Sequence, residues 1–257
     1  MKTTRRRLRC AETWAGNSST AGLIELPGLD AWVHAHEAGP GDGGGDVHYV
    51  SVCPDCVVCR IALADVSGHG RAVEAVGEKL QQLMQQYLRT LGQVALMRDL
   101  NQAVREELGE VHYATMVAVG WHARKAQLVL TNAGHPPPLW HRASDDEWVW
   151  LDTPGAYEPG RVAGVPLGLL PDVTYDRRVI RLQRHDLLVL YTDGVSESTN
   201  AAGEELGRDG LMQIVRELKS RSADTFGADL TSALNRYRDG SPAADDETII
   251  VLQSVIH

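Results

Sequence analysis

Residues 47–66, VHYVSVCPDCVVCRIALADV, contain the pattern that decides the fold. Two runs rich in β-branched residues lie on either side of Cys53-Pro54-Asp55-Cys56. Because proline followed by aspartate is favourable turn chemistry, the stretch predicts a β-hairpin with strands over 47–52 and 57–66.

Downstream of Gly70 the apolar spacing changes from that of strands to that of helices. Apolar residues recur every three or four positions through 73–87 and 97–108, which predicts two consecutive amphipathic helices. Further strands are predicted over 114–121, 127–132, 148–151, 175–182, 186–192 and 248–256, with helices around 211–218 and 226–237. Since strands and paired helices are segregated, the order favours an α+β fold of antiparallel sheets with helices outside.

The first 28 residues differ from the rest in composition. Five of the first nine residues are basic, and a cluster of small polar residues and Pro27-Gly28 follows. This composition predicts a disordered basic arm over 1–28. The remaining residues, 29–257, suit a single domain, because a chain of 257 residues is near the upper size for one core.

Charge and hydropathy exclude several classes of protein. The net charge is −9 although the first residues are basic, so the acidic body predicts no nucleic-acid partner and argues against a two-metal nuclease. No run of 18 apolar residues predicts a membrane span, and no apolar stretch follows the basic start as in a signal peptide. The expected location is therefore the cytoplasm.

Five aspartates lie where a predicted strand meets a loop: Asp46, Asp65, Asp193, Asp245 and Asp246. One aspartate beside glycine is an ordinary turn signal, but two of these end strongly apolar strands, where burial of a carboxylate is costly. Converging carboxylates would repel one another unless cations lie between them, and oxygen ligands favour Mg²⁺ or Mn²⁺. Such a metal pair suits phosphoester hydrolysis.

Six segments carry a resemblance to a known family. In order they are Gly44-Gly45-Asp46, ADVSGHG (64–70), NAGHPP (132–137), PLG (166–168), LYTDGVSES (190–198) and DDET (245–248). Together they resemble the signature of the SpoIIE-type bacterial serine/threonine phosphatases, a branch of the 2C-type metal-dependent protein phosphatases. The resemblance spans about 29–255 and implies an αββα sandwich of two antiparallel sheets with two metal ions at one end.

The resemblance also implies roles for individual residues. Asp65 corresponds to the carboxylate that bridges the two ions, Mn²⁺ or Mg²⁺, and the Val66 carbonyl to a ligand of one of them. Asp193 and Asp245 correspond to direct ligands, Asp46 to a ligand of the second metal directly or through water, and Asp246 to a further ligand. Asp65 and Asp193 are therefore the expected catalytic residues.

Family members hydrolyse phosphoserine or phosphothreonine on proteins, including anti-sigma-factor antagonists of the STAS fold, so such a protein is the expected substrate. One departure concerns the general acid: Ser67 stands where eukaryotic relatives have histidine. His69 and His135 are interpreted as structural. The general acid and a phosphate-binding arginine therefore stay unassigned.

Three alternatives remain open. Cys53, Cys56 and Cys59, with Cys10 or His48, could bind structural zinc, although unpaired buried or turn thiols are the favoured interpretation. The chain could also be an inactive phosphatase-fold binding module in a partner-switching pathway. Finally, a second subunit or a regulatory partner could pack on the apolar stripe of the helix after Gly70, which could instead be the buried face of a core helix.

Overall fold

The computed structural model describes residues 4–38, 44–67, 71–87, 92–109, 112–151 and 164–256. The strands are β1 (Thr4–Arg7), β2 (Thr13–Gly16), β3 (Thr20–Leu26), β4 (Leu29–His36), β5 (Asp46–Val52), β6 (Val58–Val66), β7 (Ala114–His122), β8 (Gln127–Ala133), β9 (Leu139–Arg142), β10 (Glu147–Trp150), β11 (Arg178–Arg181), β12 (Leu187–Tyr191) and β13 (Glu247–Ser254). The helices are α1 (Arg71–Tyr87), α2 (Gln93–Leu108), α3 (Asp193–Ser196), α4 (Gly207–Glu217) and α5 (Ala223–Tyr237).

These strands form two sheets. The seven-stranded sheet has the order β1-β3-β4-β13-β12-β9-β10, and the six-stranded sheet has the order β11-β8-β7-β6-β5-β2. Neighbouring strands are antiparallel except for β1, which runs parallel to β3. The predicted hairpin is therefore confirmed as β5 and β6, two interior strands of the six-stranded sheet, and is called the central hairpin below.

Three apolar layers hold the sheets and helices together. The first lies between the two sheets, the second joins the six-stranded sheet to α1 and α2, and the third joins the seven-stranded sheet to α4 and α5. Strand β13 shows how alternation divides the layers, because Ile250 and Leu252 enter the first while Ile249 and Val251 enter the third. The predicted αββα sandwich is confirmed.

The N-terminal segment differs from the predicted disordered arm. Three strands precede Leu29, and β1 pairs with β3 although its side chains are exposed. Arg5 and Arg7 each lie 2.7 Å from a carboxylate oxygen of Glu25, and Leu8 is buried in the layer between the sheets. The arginines thus lie on the edge strand of the seven-stranded sheet, where charged side chains discourage edge-to-edge association.

Two of the four cysteines are paired and two are free thiols. Cys10 and Cys56 form a disulfide that ties the N-terminal segment to the central hairpin, which corrects the favoured interpretation for these two. The Cys53 sulfur accepts the N–H groups of Val57 and Val58, and Cys59 is buried between the sheets. The disulfide therefore occupies Cys56 of the proposed zinc triplet and Cys10, one of its two candidate further ligands.

The apolar stripe of α1 faces the interior. Val73, Leu80 and Leu83 are buried in the layer under the six-stranded sheet, and Val76 and Tyr87 pack against it. A partner therefore cannot dock on this stripe as it stands, so the core-helix alternative is correct for these residues. Among the described residues, no helix has the length and apolarity needed to cross a membrane.

Candidate metal centre

Two of the predicted ligands are neighbours across the central hairpin. Asp46 at the start of β5 pairs directly with Asp65 near the end of β6, and Asp65 pairs on its other side with Thr115 of β7. Directly paired residues point to the same face, with Cβ atoms about 5 Å apart. The three side chains therefore form a polar row across one end of the six-stranded sheet.

The other predicted ligands come from the seven-stranded sheet. Asp193 is the first residue of α3 and is separated from the end of β12 by Thr192. Asp245 and Asp246 directly precede β13, which is the antiparallel neighbour of β12. Gly194 packs so closely on the Asp246 carbonyl oxygen that any Cβ would collide with it. Glycine at this position therefore allows the segments that carry Asp193 and Asp245 to touch.

A hydrogen bond joins the two sheets at the site. The Thr192 hydroxyl donates to Asp46 Oδ2 at 2.8 Å, and both residues are buried. Burial and the charge of Asp65 raise the pKa of Asp46 well above its usual range, while the bond from Thr192 acts in the opposite direction. Thr192 is thus a functional residue that the sequence interpretation missed, although it directly precedes Asp193.

Mutual electrostatic effects show that the carboxylates converge. Burial and then the charges of Asp193, Asp245 and Asp246 raise the pKa of Asp65 to about 8. Burial and Asp245 likewise raise the pKa of Asp193. Carboxylates influence one another in this way only at short range, so the structure brings the predicted ligands from both sheets to one place.

Glu197 adds an exposed carboxylate beside this group. Partial loss of solvent around this carboxylate, and then the negative charge of the neighbouring Asp193, raise the pKa of Glu197. It lies within the LYTDGVSES segment, but the sequence interpretation assigned it no role.

Gly45 leaves space beside two oxygens. A Cβ at this position would lie 3.3 Å from the Val66 carbonyl oxygen and 3.4 Å from Asp65 Oδ1. These two predicted ligand atoms therefore face the same small space, which a larger residue would fill.

The donor set fits a hard divalent cation. Carboxylate and carbonyl oxygens are the ligands that Mg²⁺ and Mn²⁺ prefer, and a cation would relieve the repulsion that raises the pKa of Asp65. In the described part of the chain, however, no group of three or more His, Cys, Asp or Glu side chains is already arranged to hold a metal ion.

Both carboxylate oxygens of Asp246 accept hydrogen bonds from backbone N–H groups. Its Oδ1 accepts the Ala38 N–H at 3.0 Å, and its Oδ2 accepts the Gly45 N–H at 2.8 Å. The side chain therefore holds together the residues that flank 39–43. This contact differs from the ligand role predicted for Asp246, which stays a prediction.

Two other motif residues, Ser67 and His135, form hydrogen bonds next to the predicted ligands. Ser67 Oγ accepts the Tyr113 N–H at 3.2 Å, whereas His69 lies outside the described residues. His135 Nδ1 lies 2.8 Å from the Thr115 hydroxyl, and burial lowers the pKa of His135 to about 3. A neutral His135 therefore orients Thr115 beside Asp65, a relationship with no local sequence signal because it depends on strand pairing.

The fold is that of the 2C-type phosphatases. The catalytic domain of the serine/threonine phosphatase PstP, solved with two manganese ions, matches with a TM-score of 0.59 and 17% identity, covering 89% of this chain and 99% of that one. The family model described as Stage II sporulation protein E (SpoIIE) matches residues 58–254. The chain therefore belongs to the SpoIIE family.

Two further proteins of this kind are similar to the chain. Phosphoserine phosphatase RsbU of Bacillus subtilis (strain 168) is 26% identical over 195 residues, which cover 76% of this chain and 55% of that protein. The solved RsbU and RsbW domains of Rv1364c from Mycobacterium tuberculosis match with a TM-score of 0.74 and 20% identity, covering 93% of this chain and 63% of that one. The chain thus spans about half the length of RsbU.

Proposed function

We propose that this chain is a metal-dependent phosphatase that hydrolyses phosphoserine or phosphothreonine on a protein substrate. The observation that carries the proposal is the convergence of Asp46, Asp65, Asp193 and Asp245 from two sheets. Asp46 pairs with Asp65 across the hairpin, Thr192 beside Asp193 donates a hydrogen bond to Asp46, and Gly194 touches the backbone of Asp245 and Asp246. Membership of the SpoIIE family and similarity to the phosphoserine phosphatase RsbU support the reaction class.

Two Mn²⁺ or Mg²⁺ ions are the proposed cofactors, as PstP is described with two manganese ions. Asp46, Asp65, Asp193, Asp245 and the Val66 carbonyl would hold them. When bound, such ions lower the pKa of water and offset the charge of the phosphate. Asp65 is the proposed bridging residue because it is paired with Asp46 in one sheet and is influenced by Asp193 and Asp245 from the other.

The surrounding residues keep these ligands in place. Thr192 directs one oxygen of Asp46, while His135 and Thr115 support the end of β7 beside Asp65. Ser67 ties the chain after Val66 to Tyr113 through two hydrogen bonds, one from the Ser67 N–H to the Tyr113 carbonyl and one to the Ser67 hydroxyl. These hydrogen bonds fix the strand ends of both sheets from which the carboxylates project.

A STAS-fold anti-sigma-factor antagonist in its phosphorylated form is the proposed substrate protein. Similarity to RsbU, and to a chain that contains RsbU and RsbW domains, favours a partner-switching pathway. An inactive binding module is the second candidate, and the fold similarity alone is compatible with it. The presence of all four aspartates disfavours that candidate, because loss of a ligand is the simplest route to inactivity.

Hydrolysis of p-nitrophenyl phosphate and of a phosphoserine peptide tests the proposal. Metal-stripped protein is assayed with Mn²⁺, with Mg²⁺ and with EDTA, and Asp193→Asn serves as the inactive control. We expect release of phosphate that requires the added ion and is lost in EDTA. Full activity in the stripped protein would contradict the metal dependence, whereas inactivity with both ions would favour the binding module.

A further inference from the structure

A buried ionic cluster connects the two segments that carry the proposed ligands Asp193 and Asp245. It consists of Arg238 at the end of α5, Glu247 at the start of β13 and Ser198 just after α3. Their exposed fractions are 5%, 4% and 5%. None of the three is among the predicted metal ligands.

Arg238 is the centre of this cluster. Its Nη1 forms an ion pair with Glu247 Oε1 and donates to the Ser198 hydroxyl oxygen at 3.2 Å. Its Nη2 donates to Asn235 Oδ1 at 2.6 Å, and its backbone N–H donates to the Leu234 carbonyl oxygen at 3.1 Å. The guanidinium is thus anchored on α5 and directed at β13 and the α3 segment.

Ser198 completes the connection to the ligand-bearing backbone. Its Oγ lies 2.8 Å from Glu247 Oε1 and 3.0 Å from the Gly194 carbonyl oxygen, so one hydroxyl proton serves both acceptors. Gly194 directly follows Asp193, and Glu247 is two residues after Asp245. The cluster therefore joins the segment that follows Asp193 to the strand that follows Asp245.

Stability alone is a weak explanation for such an arrangement. Removing two charges from water is costly, and a buried ion pair often contributes no more than apolar residues of the same volume. What the pair supplies is fixed direction, because a guanidinium donates hydrogen bonds in a rigid, planar arrangement. Here two of those bonds, to Glu247 and to Ser198, end on the segments that meet where Gly194 contacts Asp246, while the bond to Asn235 fixes the guanidinium on α5.

We propose that Arg238, Glu247 and Ser198 are positioning residues that set the separation of Asp193 and Asp245. The proposal rests on the proposed function, since it concerns ligands of the proposed metal centre. The three residues act through the backbone of Gly194 and of the segment before β13. Loss of the cluster therefore weakens cation binding more than it lowers turnover at saturating cation.

Ser198→Ala is the principal test, because it removes the connection to Gly194 and leaves the ion pair. Direct Mn²⁺ binding is measured from the electron paramagnetic resonance signal of free Mn²⁺, with the melting temperature of metal-free protein recorded alongside. Ser254→Ala is the matched control, being the same substitution at a buried serine at the other end of β13. We expect about five- to tenfold weaker Mn²⁺ binding in Ser198→Ala only, with a change of less than about twofold in kcat at saturating Mn²⁺. Binding within twofold of the parent would overturn the proposal.

The double variant Arg238→Met, Glu247→Leu separates positioning from stability. Removing both charges together avoids an unpaired buried charge, so the fold should persist. We expect a melting temperature near that of the parent with weakened Mn²⁺ binding, and a variant that melts normally and binds Mn²⁺ normally would overturn the proposal. A parent that binds Mn²⁺ as expected yet hydrolyses neither test substrate would contradict the proposed function and leave the positioning role standing. A parent that binds no Mn²⁺ would overturn both.

Discussion

The Thr192 hydroxyl donates a hydrogen bond to Asp46 at 2.8 Å and accepts one from the Thr248 N–H at 2.9 Å. Thr248 lies in β13 of the seven-stranded sheet and Thr192 directly follows its neighbour β12, whereas Asp46 begins a strand of the six-stranded sheet. A single side chain therefore connects the two sheets at the end where the carboxylates meet. Its position ties the geometry of Asp46 to that of the neighbouring Asp193.

Thr192→Val should weaken Mn²⁺ binding by about tenfold, because a hydrogen bond to a carboxylate is lost while the volume is kept. The measurement is a titration of phosphatase activity with Mn²⁺, accompanied by direct binding. Thr131→Val is the control, since Thr131 is equally buried and its hydroxyl has no hydrogen-bond partner among the described residues. Equal Mn²⁺ affinity in the two variants would show that the bond does not position Asp46.

Asp65→Asn and Asp193→Asn should each lower turnover by about a thousandfold or more, because a neutral amide cannot balance the charge of the cation. The metal-free variants should melt no lower than the parent, since the substitutions relieve repulsion among buried carboxylates. Steady-state kinetics and thermal unfolding measure the two effects. The exposed Asp239, which has a positive φ that asparagine tolerates, provides the control Asp239→Asn. Near-normal turnover in either site variant would remove that residue from the proposed ligand set.

Asp246→Ala should speed hydrogen exchange at the amides of Ala38 and Gly45, because both lose their acceptor. Asp246→Asn keeps one acceptor oxygen and should change exchange at only one of the two amides. Hydrogen exchange followed by nuclear magnetic resonance resolves these sites. If Mn²⁺ affinity falls in Asp246→Asn while both amides exchange normally, Asp246 is a ligand rather than a support.

Cys10→Ser should lower the free energy of unfolding by about 3–4 kcal/mol in oxidising buffer, because the disulfide closes a long loop between Cys10 and Cys56. The difference from the parent should vanish once a reductant is present. Denaturant unfolding with and without a thiol reductant measures this, and Cys53→Ser is the control. Phosphatase activity should stay within about threefold, as the hairpin turn lies at the opposite end of β5 and β6 from the carboxylates. Stoichiometric zinc in the purified protein, with unfolding on chelation, would instead favour the zinc site.

His34 should make the folded protein less stable in mild acid. Burial lowers the pKa of His34 to about 4, whereas an unfolded histidine titrates near 6.5. Between these values the unfolded state binds more protons, so the free energy of unfolding falls as the pH decreases from about 6.5 to 4. Relative to His34→Gln, the parent should therefore lose about 1–2 kcal/mol between pH 7 and pH 5 in urea unfolding with EDTA. The substitution His36→Gln, at an exposed histidine two residues away, is the control. If the free energy of unfolding changes with pH in the same way in the parent and in His34→Gln, His34 does not cause the loss of stability in mild acid.

Much of the fold follows from local patterns. The central hairpin, the paired helices and the closing strand were predictable because spacing and turn chemistry act over a few residues. Strand β9 was missed, since Leu139–Arg142 is short, follows three prolines and gains its structure from pairing with β12 and β10. The exposed strand β1 was missed for a similar reason, because its arginines pair with Glu25 and its backbone with β3.

By itself the sequence determined which carboxylates end strands, because an aspartate after an apolar run is visible in the chain. Only the tertiary structure decided that Asp246 supports Gly45, that Thr192 holds Asp46 and that Arg238 joins Glu247 to Ser198. The Thr192 and Asp246 bonds join residues 146 and 201 positions apart. No periodicity or turn signal extends over such distances, because these contacts arise only when two sheets pack face to face and bring their strand ends together.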